Sequence, residues 1–80
     1  MKARVEISLR PGVLDPEAQT IERSLASLGF EGVEHVRRLK VIELDLAHQD
    51  RAAAEKAVEA MCERLLANPV IETYSISIDA

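Results

Sequence analysis

The sequence predicts an α+β fold: a two-layer α/β sandwich with the order strand, helix, long strand, helix, strand. Three observations lead there. Apolar and polar residues alternate over residues 2–10 and again over 74–79, the period of a half-buried strand. Two intervening segments repeat apolar residues at the three-to-four spacing of a helix. Between the helices, residues 33–46 (VEHVRRLKVIELDL) read as extended chain, far longer than a usual strand of ~5–6 residues.

In the first strand Ala3, Val5, Ile7 and Leu9 point one way and Lys2, Arg4, Glu6, Ser8 and Arg10 the other. Pro11 lacks an N–H and ends the ladder; Gly12 can take a positive φ. Asp15-Pro16 opens a helix, with Asp as N-cap and Pro at the first helical position. Glu17 suits the positive end of the helix dipole. Ala18, Ile21, Leu25 and Leu28 form the expected buried stripe, with Glu22 and Arg23 toward water. Gly29 ends the helix, and Phe30 is expected to pack back on its last turn.

The middle segment changes phase. Ile42, Leu44 and Leu46 share a face with Glu43 and Asp45 opposite, whereas Leu39 and Val41 sit on the other parity. A one-residue shift flips every side chain, so either a bulge bends one strand near Val41 or a turn near residues 38–40 splits it into a hairpin. The run Arg37-Arg38-Leu39-Lys40 lacks the Gly, Asn, Asp or Pro of a tight turn, which favours the long bent strand. Such a strand overruns one helix layer, and a second copy of the chain is the simplest cover. The expectation is a dimer or a dimer of dimers.

After Ala47-His48-Gln49, Asp50 caps a second helix running to about residue 67. Ala54, Val58, Met61 and Leu65 are its inner stripe, with Cys62 and Leu66 beside it. Asn68-Pro69 stops it. The last strand sets Tyr74, Ile76 and Ile78 against Ser75, Ser77 and Asp79. Each strand–helix–strand crossover is expected to be right-handed and to return parallel, placing both helices on one sheet face. A split middle strand would instead give the order of a ferredoxin-like domain.

Eighty residues make one domain, 1–80, of modest stability, for which oligomerisation is common. The formal net charge of -4 speaks against nucleic acid and anionic membrane surfaces. No apolar run approaches the ~20 residues of a membrane span, and the N-terminus does not read as a signal peptide. The single Cys62 fits a reducing, cytoplasmic setting.

No catalytic constellation emerges. His35 and His48 lack further ligands at metal-binding spacing. Cys62 and Met61 read as core, and Glu43 with Asp45 as a solvated strand face. No serine stands in a nucleophile elbow and no glycine loop matches a phosphate cradle. Two features remain. Arg37, Arg38 and Lys40 lie inside what should be a strand, either guarding an edge or docking a partner or anion. The apolar connection 65–74 (LLANPVIETY) reads as a covered loop.

These segments carry a resemblance. PGVLDP at 11–16, VRRLKVIEL at 36–44 and LLANPVIETY at 65–74 resemble, in order, the GVLDP, VRxGKxxEL and LLxNPVIExY motifs of the PurS family, small subunits of phosphoribosylformylglycinamidine synthase. Leu39 stands where the family often has glycine, and Glu17-Ala18 where Gln-Gly is common. The resemblance implies a subunit of a glutamine-dependent, ATP-consuming C–N ligase complex in purine biosynthesis, without an active site of its own. It implies that ATP, Mg and glutamine are used by a PurL-like synthetase and a PurQ-like glutaminase. A dimer of the small subunit would hold those partners together and support ammonia transfer. Arg37, Lys40, Asn68, Pro69, Val70, Ile71 and Tyr74 are the expected subunit contacts. The alternative is an ACT-type regulatory domain that binds an amino acid at the loop over residues 10–15.

Overall fold

The computed structural model describes residues 1–79. Its elements are β1 (Lys2–Leu9), α1 (Pro16–Ser27), β2 (Lys40–Asp45), α2 (Arg51–Met61) and β3 (Glu72–Asp79), with a five-residue π-helical turn, Cys62–Leu66, extending α2. The three strands form one sheet in the order β2-β1-β3, both pairs antiparallel.

The register follows from the alternation in β1. Val5 stands between Ile42 and Ile76, and Ala3 between Leu44 and Ile78, so the apolar positions of all three strands share a face. Ala54, Val58 and Cys62 from α2 and its π turn close over Ala3, Val5, Ile7 and Ile78 on that face to make the core. Along the opposite face Arg4 pairs with Glu43 and Glu6, and the Ser8 and Thr73 hydroxyls meet at 3.2 Å.

One expected crossover is parallel and the other is not. β2 and β3 both run opposite to β1 and hence parallel to each other, as a split β-α-β unit joined by α2. β1 and β2 are antiparallel, contrary to expectation, because α1 does not lie back over the sheet. The chain leaves through α1 and returns through residues 30–39, which belong to no strand. The predicted long strand over 33–46 is therefore cut to its second half, Lys40–Asp45, plus an unpaired arm. In sequence the arm occupies the place of the second strand of a ferredoxin-like domain.

The consequence appears in the shape. The radius of gyration is 16.2 Å and the molecule measures 50 × 26 × 14 Å, whereas a compact 80-residue domain has a radius of about 12 Å. α1 touches the sheet and α2 only marginally. Of its predicted buried stripe only Ala18 is buried; Ile21 and Leu28 are exposed and Leu25 is half-buried. Phe30, expected to pack back, is also exposed; only its N–H reaches Leu25 O, 3.0 Å away.

Capping follows the sequence closely. The Asp15 carboxylate accepts from the N–H groups of Glu17 and Ala18, and that of Asp50 from Ala52 and Ala53. Gly29, just past the end of α1, has φ +90, a conformation costly for any residue with a Cβ. The π turn is a departure. Ala67 N–H bonds Cys62 O, five residues back, and the extra residue turns the later side chains about the helix axis. Leu65, expected inside, points out at 82% exposure, while Cys62 and Ala67 are buried.

Candidate assembly surfaces

Two apolar surfaces lie open, on different elements. The first belongs to α1, the arm and the start of β2: Ile21, Leu28, Phe30, Val33, Leu39 and Val41. The second belongs to the π turn and the connection to β3: Leu65, Val70 at 79% exposure, and Ile71. Their sum shows in the total accessible surface of 6046 Å². A folded monomer of this mass exposes about 4,800 Å², so the excess is roughly 1,300 Å². That is more than the ~800 Å² a standard interface buries on each partner.

Residues 67–72 form a rigid turn because its polar groups are satisfied from within. The Arg10 guanidinium donates twice to Pro69 O, at 3.1 and 2.8 Å, and Arg10 N–H bonds Ile71 O. Asn68 organises the rest. Its N–H donates to Glu72 Oε1 at 2.7 Å, its Oδ1 accepts from Val70 N–H, and its carbonyl accepts from the N–H groups of Ile71 and Glu72. Lys40 Nζ lies 3.3 Å from the other oxygen of Glu72. The Asn68 N–H bond and then Lys40 hold the Glu72 carboxyl below its ordinary range. These bonds hold the turn, and Val70 projects from it, pre-organised for contact.

Beyond the Phe30 N–H bond to Leu25 O at its start, the arm is tied near its other end by Arg38. Arg38 donates from Nε and Nη2 to the two oxygens of Asp15, at 3.2 and 3.1 Å, and from Nη1 to Glu17. The fork matches the carboxylate in the bidentate manner that makes such pairs geometrically specific. The Arg38 bond, added to the two capping N–H groups, holds the Asp15 carboxyl below its usual value. Arg38, Asp15, Ala18, Gln19 and Leu9 help to line a cleft of about 670 Å³ between the arm, α1 and the end of β1.

The seven predicted contact residues thus fall into separate places. Asn68, Pro69, Val70 and Ile71 share the rigid turn, where Val70 and Ile71 are exposed. Lys40 is occupied by Glu72. Arg37 forms no ion pair with the described residues and is exposed. Tyr74 is half-buried beside α2. Sequence reasoning missed Glu72 and Arg10, the two side chains that lock the turn. Glu72 stands within the 65–74 motif, but Arg10 reaches the turn only because β1 and β3 pair side by side, which lies outside that motif.

Tyr74 has one further property. Its hydroxyl donates to Glu63 Oε1 at 2.6 Å, and that bond, with burial second, pushes its pKa from 10.0 up to about 12. The folded state holds this proton more tightly than the unfolded chain. The stabilisation is present in full below pH 10.0 and is lost as the pH rises through about 12. Tyr74 is the only tyrosine and there is no tryptophan, so phenolate absorbance reads it alone. Glu63→Gln is expected to bring the absorbance midpoint down toward 10.0; an unmoved midpoint would contradict the assignment.

Among the described residues no three His, Cys, Asp or Glu gather as a metal site, and no helix is long and apolar enough to cross a membrane. Cys62 is buried, and burial raises its thiol pKa, the opposite of an activated nucleophile.

Comparison with known proteins agrees with this geometry. The family model for PurS, phosphoribosylformylglycinamidine (FGAM) synthase, matches residues 2–80. The PurS subunit of Methanocaldococcus jannaschii is 44% identical over 78 residues, covering 98% of this chain and 94% of its own length. Its crystal structure superposes with a TM-score of 0.89. Bacillus subtilis PurS is 38% identical and also reaches a TM-score of 0.89, over 99% of this chain and 98% of that one. A chain of the PurLQS structure from Thermotoga maritima, 34% identical, covers 95% of this chain and 93% of its own, with a TM-score of 0.88. These matches give no support to an ACT-type regulatory domain. With a family model spanning all but its first residue, and relatives alike in sequence and fold, the chain belongs to the PurS family of phosphoribosylformylglycinamidine synthase subunits.

Proposed function

We propose that this chain is a non-catalytic assembly subunit: it joins a second copy of itself and bridges a PurL-like synthetase and a PurQ-like glutaminase in the cytoplasm. The observation that carries this is the excess accessible surface of roughly 1,300 Å² on so small a chain. The likeness to a chain of the Thermotoga maritima PurLQS structure supports the choice of partners. ATP, Mg and glutamine belong in this reading to those partners.

The division of labour follows the two surfaces. The apolar side of α1 and of the arm takes the second copy, since an apolar helix face and a half-covered strand flank (Ile42, Leu44, Leu46) within one chain can satisfy each other between two. Arg37, Lys40 and the 68–74 connection contact the larger subunits. Holding glutaminase and synthetase together keeps ammonia from bulk water and protonation, a positioning effect that needs no side-chain chemistry from this subunit.

Charge reversal tests it. Arg37→Glu removes a cation that has no ion pair among the described residues, so it spares the fold. In the reconstituted complex it is expected to lower glutamine-supported synthesis by about tenfold or more while ammonia-supported synthesis stays near the original rate. Lys40→Glu is expected to do the same and to loosen the 67–72 turn as well, because it sets a second anion beside Glu72. Unchanged sedimentation of the complex and unchanged glutamine-dependent rates in both variants would remove these residues from the interface.

A further inference from the structure

Among the described residues the arm, 30–39, has no strand partner, yet it lies against α1 across a cleft. One side chain of the arm is bonded across to the start of α1. All three nitrogens of the Arg38 guanidinium are bonded, two to Asp15 and one to Glu17. Asp15 is at the same time the N-cap of α1, so the guanidinium is fastened to the groups that fix where the helix begins. Its neighbours at positions 37 and 40 are used differently: among the described residues Arg37 has no ion pair, and Lys40 turns to β3.

We propose that Arg38 is a strap: by holding Asp15 and Glu17 together it fixes the arm against the first turn of α1, and so sets the direction in which α1 presents its apolar face to a second copy. The strap rests on the assembly reading above only for its effect on affinity; its effect on the arm holds within one chain. It positions and does not itself touch the second copy. An arm fixed in one direction loses less freedom on association than a swinging one, so the strap favours assembly without adding a contact. A half-exposed ion pair is also weakened by salt, which makes the joint sensitive to ionic strength.

Three substitutions in the full-length chain isolate it. Arg38→Met keeps much of the side-chain length and removes the charge. Asp15→Asn keeps the capping oxygen and removes the ion pair. Glu17→Gln removes only the outer arm of the fork. The first readout is backbone 15N relaxation of residues 31–39 at a concentration where the chain is single. Order parameters are expected to fall from about 0.85 to below about 0.6 in Arg38→Met and Asp15→Asn. The helical signal of α1 should persist, and Glu17→Gln should fall between. The second readout is self-association by sedimentation. Both strong variants are expected to weaken it by about tenfold, and the double variant no further, since the two residues act as one unit. Added salt should weaken the original chain and leave Arg38→Met unaffected. An arm as ordered in Arg38→Met as in the original chain would overturn the proposal. If the original chain does not self-associate at all, the assembly reading fails and the relaxation result alone decides the strap.

Discussion

Ile21→Lys combined with Leu28→Lys is expected to leave a folded chain that no longer self-associates. Both positions lie on the α1 stripe and are already exposed in one copy, Leu28 at 73%, so the substitutions remove little internal packing. Lysine is a good helix former, and a cation in the last turn suits the helix dipole. Within an interface the same ammonium groups would be stripped of water without partners, at a cost of several kcal/mol. At ~1.4 kcal/mol per tenfold, affinity should fall by about a hundredfold or more. Far-ultraviolet circular dichroism should keep its helical signature while sedimentation reports a single chain. If the bridging role depends on the paired form, glutamine-supported synthesis in the reconstituted complex falls with it. Association as tight as in the original chain would show that the α1 stripe is not the self-contact.

Ile7→Ala is expected to produce the largest loss of stability. Ile7 is among the largest fully buried side chains and lies on β1, the central strand, in a core that contains no buried aromatic residue. Removing its outer carbons costs ~2–5 kcal/mol, because the surrounding strands and α2 relax only partly into the gap. A domain of this length has a stability of only about 4–12 kcal/mol. The substitution should therefore lower Tm by roughly 10 °C or more at fixed protein concentration. Leu65→Ala is the matched control. The sequence pattern places Leu65 inside and the structure places it outside, so the control should change stability by less than about 0.5 kcal/mol. A large loss in Leu65→Ala would mean that the π turn is not where the chain changes phase.

That pair of substitutions also shows where the sequence is legible. The β1 alternation, both aspartate caps and the Gly29 stop depend on residues close together in the chain, and all are readable there. Direction and coverage depend on what lies far away. A parallel β1 and β2 would require α1 to return over the sheet. Nothing in the stripe Ala18, Ile21, Leu25, Leu28 says whether its cover comes from the same copy. The long extended segment is indeed more than one chain shelters, but its first half is an arm held by a side chain and not a strand. Arg38 and Lys40 look alike in the sequence, as cations out of place. Their roles separate only in three dimensions, where one meets Asp15 and the other meets Glu72 from across β1. The 65–74 connection stands out as unusually apolar, and the turn exposes Val70. Its locking by Arg10 depends on β1 and β3 lying side by side, a long-range pairing the motif does not show; the π turn before it has no sequence signature either.

One copy leaves uncovered a helix face and an arm that another copy must cover; this is the claim on which the rest depends. Sedimentation equilibrium of the isolated chain across a wide concentration range tests it most directly. The predicted result is a mass of two chains or a multiple of two, reverting toward one only on strong dilution or in Ile21→Lys with Leu28→Lys. A mass of one chain at every concentration, with the α1 face still open to solvent, would contradict it.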